Sequence, residues 1–339
     1  MREPISLRGR PYALGSDYPL YDSARTVAMR QPKVGRHILL FAATFVTATL
    51  ANAHVQGVDL GAHPLGFVAG LPYAIALMGI LLAHECGHYL LSRRYGVDAT
   101  LPYFIPAPPT LFFFGTFGAF IRMRSLPRTR RALFDIGAAG PWGGIAVAVP
   151  ALILGLSLSE VQVVGEPPMA GWMLGDSLLF RALVWLTCGV STHDATIVLH
   201  PIALAGWVGL FVTALNLMPV GQLDGGHVVY AALGERWHRW ISLGTVGALL
   251  FLGVSAAPSW LLWATLLAVL GVRHPRLPDG LTALDRPRRW GVAATLLLFA
   301  LTFMPDPISF SRPAPRAPRP ADAIPVAAPP AAPAGGVWV

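Results

Sequence analysis

Three residues of one short stretch, His84, Glu85 and His88 in His84-Glu85-Cys86-Gly87-His88, have the types and spacing best suited to chemistry in this 339-residue chain. On a helix turning about 100° per residue, the two imidazoles stand about 40° apart on one face with Glu85 beside them, and Cys86 points away. That pattern suits one zinc ion held by two histidines, with a carboxylate placed to take a proton from an attacking water. A catalytic zinc takes three protein ligands and keeps a fourth position open. Asp224, in Leu223-Asp224-Gly225-Gly226, is the natural third. Cys86 and Cys188 lie in different segments, so neither a disulfide framework nor a cysteine cluster is expected.

The elements that must position these residues are membrane helices. With 54% hydrophobic residues, 12% charged and a mean hydropathy of +0.56, a soluble globule is excluded, and 10% aromatics argue against chain-wide disorder. Apolar stretches at 38–53, 66–91, 136–158, 201–220, 241–256, 259–272 and 290–303 predict an all-α polytopic membrane protein of about seven transmembrane helices. The last three stretches are short. Arginines gather between alternate spans, at Arg25, Arg30 and Arg36, then Arg93 to Arg131, then Arg236, Arg239 and Arg273 to Arg289. By the positive-inside rule they set topology, so the net charge of +8 orients the chain in a lipid bilayer and implies no nucleic-acid partner. The amino-terminal segment 1–37 is expected inside, with no cleaved signal. His84 lies nine residues before Arg93, roughly 13 Å along a helix. Asp224 lies twelve residues before Arg236, so ligands and third ligand are expected at similar depth.

Residues 101–123, LPYFIPAPPTLFFFGTFGAFIRM, are strongly apolar, yet prolines at 102, 106, 108 and 109 forbid a continuous helix. A re-entrant β-hairpin near 101–121 is expected, with an interfacial loop as the alternative. Residues 306–339 hold nine prolines and nine alanines and read as a disordered tail, leaving 38–305 as the membrane domain. Leu178–Leu186 reads as an amphipathic interfacial helix. Asp135 is expected to pair with Arg130 and Arg131, Gly137, Gly140, Gly143 and Gly144 to allow close helix approach, and His200 and His227 are minor candidates for the cavity wall.

HExxH on a membrane helix followed by a distant N-x-x-P-x-x-x-L-D-G-G, here Asn216 to Gly226, resembles the site-2 protease family of intramembrane zinc metalloproteases. The likeness runs from about 65 to 234 and includes Phe134-Asp135 through Ala139-Gly140-Pro141. GTFGAF and the run His200-Pro201 through Gly206-Trp207 resemble the branch with cyanobacterial and chloroplast members. The resemblance implies His84, His88 and Asp224 as ligands of one Zn2+ per chain, Glu85 as general base and Asn216 as a polar group near the scissile peptide. It implies a membrane-protein substrate with a transmembrane helix, bound in part by the hairpin. No stretch has the length or composition of the PDZ domain that many members insert. The lysine-poor, arginine-rich composition leads to the expectation of a bacterial inner membrane. Three alternatives remain at this stage: a membrane protease of the prenyl-protein type with glutamate as third ligand, a zinc or ion transporter using the same histidines, and a non-catalytic scaffold. Glu3, Glu160, Glu166 and Glu235 all fall outside the predicted spans, which disfavours the first.

Overall fold

The computed structural model describes residues 34–110, 112–163, 171–192, 194–278, 282–311 and 337–338. Each expected apolar stretch falls largely within a helix: α1 (Val34–Val55), α2 (Leu71–Arg94), α3 (Arg130–Ser157), α5 (Pro201–Asn216), α7 (Glu235–Ser255), α8 (Ser259–Leu270) and α9 (Arg286–Thr302). Between them come α4 (Leu178–Cys188) and α6 (Asp224–Leu233). By length and composition, α1, α3 and the 31-residue run Pro64–Arg94, a 3₁₀ turn continued by α2, suffice to cross a membrane. Helices α4, α5 and α8 are apolar but shorter. The outer faces of α7 and α8 are undisguised hydrocarbon: Val254 on α7 is 81% exposed and Val269 on α8 79%, which only lipid or protein would cover.

Helix starts follow local chemistry. Thr129 accepts a hydrogen bond from the Ala132 amide at 3.2 Å to open α3, and Ser177 does the same for Phe180 in α4, which stops at Gly189 in a left-handed turn. Asp285 caps α9 through the Arg288 amide. The middle of the molecule is α2 against α3 against α5, a layer of buried Leu77, Ile80, Ile145, Leu152, Trp207 and Phe211. Asp135, on the first turns of α3, takes a different partner from the one expected. Arg288 of α9 reaches it at 2.6 Å and Tyr95 also binds it, while Arg131 faces Asp285 at 3.7 Å.

The proline-broken segment forms an antiparallel pair, β1 (Tyr103–Pro106) with β2 (Thr116–Phe120), Phe104 opposite Ala119. Side chains of α1 and α2 hold it: His37 Nδ1 lies 2.9 Å from the Pro102 carbonyl, the Thr47 hydroxyl donates to Gly115 O at 2.7 Å and the Tyr73 hydroxyl to Phe114 O at 3.1 Å. Phe104 packs edge-on against Phe41 of α1. Among the described residues the other edge of β2 has no strand beside it.

The all-α expectation needs correction. A five-stranded sheet of order β3-β5-β7-β4-β6 is built from β3 (Glu160–Val163), β4 (Gly171–Leu174), β5 (Ala195–Val198), β6 (Ile308–Ser311) and β7 (Val337–Trp338). Two of these strands fall in the expected tail, so 308–311 and 337–338 are ordered by backbone pairing, and residues 312–336 lie outside the described residues. No strand exceeds four residues and β4 finds β6 more than a hundred residues away. No alternating run long enough to announce a sheet exists in the sequence.

Candidate metal centre

Three residues of α2, His84, Glu85 and His88, are each less than 10% exposed, on the side of the helix turned to α3 and α6. His84 Nε2 and His88 Nε2 lie 3.2 Å apart, and Asp224 Oδ2 lies 3.2 Å from each of them. Ligand atoms about 2.0–2.1 Å from a tetrahedral zinc stand about 3.3 Å from one another. The three therefore form an almost equilateral triangle of the size that zinc demands, and together they could hold a metal ion.

Local sequence explains how Asp224 arrives there. Helix α5 ends at Asn216, the chain turns through Pro219 and Gly221, and Leu223 is extended before Asp224 begins α6. A Cβ on Gly225 would stand 1.9 Å from the Leu217 carbonyl oxygen, so only glycine lets α6 begin this close to the end of α5.

The His88 ring is oriented from α3. His88 Nδ1 lies 2.8 Å from the Ile136 carbonyl oxygen. A carbonyl only accepts, so the proton sits on Nδ1 and the Nε2 lone pair is left facing His84 and Asp224. A Cβ on Gly140 would stand 2.0 Å from that same Nε2. The expected close approach is thus seen at Gly140, and its purpose is room for a ligand ring.

Glu85 borders the cavity on the side of β2, where the backbone amide of Ile121 faces its carboxylate. The Asn216 side-chain nitrogen is 3.2 Å from His84 Nε2, so its amide stands beside the ligand cluster. His227, one turn after Asp224, lines the same cavity, with Nδ1 2.8 Å from Nε2 of His274. His274 Nδ1 in turn is 2.6 Å from the Pro275 carbonyl. The same donor logic puts a proton on Nδ1 of both rings and leaves His227 Nε2 as an acceptor. His274 stacks on Tyr230 and its burial pushes its pKa down to about 4. Sequence reasoning passed over His274 because nothing near it repeats a motif. His200 caps α5 by accepting from the Ile202 amide at 3.3 Å and lines neither cavity at this centre. Asp135 also lies elsewhere, in its ion pair with Arg288.

Residues 72–257, more than half of the chain, match the model of peptidase family M50. The chain belongs to peptidase family M50. Among M50-related proteins it is 36% identical over 245 residues to "Probable zinc metalloprotease EGY1, chloroplastic" of Arabidopsis thaliana, covering 70% of this chain and 43% of that protein. It is 34% identical to the protein of the same name in Oryza sativa subsp. japonica, covering 70% and 41%, and 31% identical to an EGY2 of Oryza sativa subsp. indica, covering 55% and 33%. The chain thus spans less than half the length of these relatives. The resemblance to the site-2 protease family, in its branch with chloroplast members, holds. No solved structure matches. The expectation of a bacterial inner membrane is overturned, because these M50 relatives are chloroplastic by name; an arginine-rich composition is not a cellular address.

Proposed function

We propose that this M50 chain is an intramembrane zinc metalloendopeptidase that hydrolyses peptide bonds within transmembrane segments of other membrane proteins. The observation that carries the reading is the 3.2 Å triangle of His84, His88 and Asp224 with Glu85 on its rim, inside a bundle whose outer faces are hydrocarbon. One Zn2+ per chain would be held by His84 Nε2, His88 Nε2 and Asp224 Oδ2. When bound, zinc supplies Lewis acidity and makes water a nucleophile near neutral pH. Glu85 is the general base: it takes a proton from the attacking water and returns it to the leaving amine. Asn216 donates its amide hydrogens to the scissile carbonyl oxygen as negative charge grows there. His88 is kept in the ligating tautomer by the Ile136 carbonyl.

A helical substrate hides its carbonyls in its own hydrogen bonds, so cleavage requires local unwinding. The free edge of β2 takes the unwound strand by β-augmentation. In this reading 38–305 form the membrane domain with its core at 65–234, the seven apolar helices lie in the bilayer, and the β1–β2 hairpin re-enters it. The relatives' printed names support the zinc and the proteolysis. The test is cleavage of a single-span substrate in liposomes with the products mapped by mass spectrometry. New termini inside the apolar segment are expected; cuts confined to the aqueous flanks contradict the reading.

A further inference from the structure

The edge of β2 runs past two cavities, one almost wholly apolar and one more polar, that meet at His84 and Glu85. One, of about 330 Å³, is walled by Phe112, Phe114 and Phe117 from the hairpin region, by Phe211 of α5 and by Trp263 of α8. Its polar lining consists of His84, Glu85, Thr116 and Asn216. The other, of about 200 Å³, lies at the Phe120 end of β2 and is mixed: Phe120, Ile121, Met123 and Ile136 line it beside the polar His88, Gln222, Asp224 and His227. His84, Glu85, Asn216, Ala119 and Leu223 border both. The reacting groups therefore stand at the junction of a large aromatic chamber and a smaller, more polar one.

We infer that the peptidase selects its bond by asymmetric flanks: a large apolar side chain on one side of the cut fills the aromatic chamber, and a small or hydrogen-bonding residue on the other side occupies the polar one. This rests on the proteolytic reading above. An extended strand laid along β2 advances about 3.3 Å per residue and turns alternate side chains to the same face, so neighbours of a bond held at Glu85 reach one chamber each. The aromatic chamber sits at the lower end of the usual range for ligand pockets, roomy enough for Phe or Leu. Away from the reacting groups at its mouth its walls are apolar apart from Thr116, and burying a charge against them is costly. The small chamber supplies Gln222 and the lone pair of His227 Nε2 to a hydroxyl or an amide. Helix-weakening polar residues beside an anchoring aromatic would thus be recognised directly, and not only through easier unwinding.

The experiment uses the full chain in liposomes with one single-span substrate whose cut has been mapped, varied residue by residue on both flanks. At one flanking position, replacing Phe or Leu by Ala is expected to lower kcat/KM about 10- to 200-fold, with Asp worse still, whereas the opposite flank prefers Ser or Asn over Phe. Two wall variants reverse the size rule: Val212→Phe narrows the chamber and favours Ala over Phe, and Trp263→Ala widens it and admits Trp. Wild-type cleavage that ignores side-chain size on both flanks, or a preference unmoved by both wall variants, overturns the inference and leaves the proteolytic reading standing. Cleavage equally fast with Glu85→Gln would instead overturn that reading, and the inference with it.

Discussion

The triangle of His84, His88 and Asp224 depends on atoms that carry no motif. HExxH shows in the sequence because helical periodicity alone brings residues 84 and 88 together, and Asp224 is legible from its break-prone surroundings. The Ile136 carbonyl, which fixes the His88 tautomer, is a backbone atom that any residue would provide. Gly140 is legible as a small residue but not as the one lying under His88. Gly140→Ala is therefore expected to push the ring aside and weaken zinc binding about 10- to 100-fold, as when supporting groups are disturbed. Elemental analysis beside circular dichroism tests this: zinc falls while helix content holds. A second residue-scale prediction concerns His274, packed against His227, Tyr230 and His238. Buried and neutral, it holds its proton only below about pH 4, against 6.5 for an unperturbed imidazole. The folded state thus binds fewer protons than the unfolded one between these values. Its contribution to stability is complete above about pH 6.5 and declines as pH falls towards 4. Thermal unfolding in detergent from pH 7.5 to 4 is expected to show that decline and to show less of it for His274→Phe.

Packing between elements turns these residues into a site. Helix α2 presents the ligands, α3 orients them from behind, the α5–α6 turn delivers Asp224, and the hairpin supplies an edge. The hairpin was legible because prolines 102, 106, 108 and 109 forbid a helix in an apolar run; Gly115, with positive φ, lies in the connection just before β2. What the sequence could not convey is that Thr47 and Tyr73 tie it to α1 and α2. If the outer edge of β2 carries substrate, Ala119→Pro, which takes an N–H from the strand and disrupts its extended pairing, lowers cleavage more than tenfold while bound zinc stays at the wild-type level. Zinc loss in that variant would mean that the hairpin supports the metal site and does not merely serve the substrate.

For the whole molecule, hydropathy located all seven helical stretches because an apolar run of that length can satisfy its backbone only as a helix. It also blurred two things. Pro219 cannot continue the helix, so the apolar run 201–220 yields a 16-residue helix that ends at Asn216. The five-stranded sheet stayed hidden because its strands are four residues or fewer and several pair across more than a hundred residues, as Trp172 does with Phe310. The central claim joins the scales: a metal held by His84, His88 and Asp224 serves a hydrolysis whose proton is carried by Glu85. Its most direct test measures bound zinc and cleavage rate in the same purified samples of wild type, Glu85→Gln and Asp224→Ala. The account predicts one zinc and cleavage in the wild type, one zinc with cleavage down about 10²- to 10⁴-fold in Glu85→Gln, and neither zinc nor cleavage in Asp224→Ala. Full zinc in Asp224→Ala, or an undiminished rate in Glu85→Gln, would contradict it.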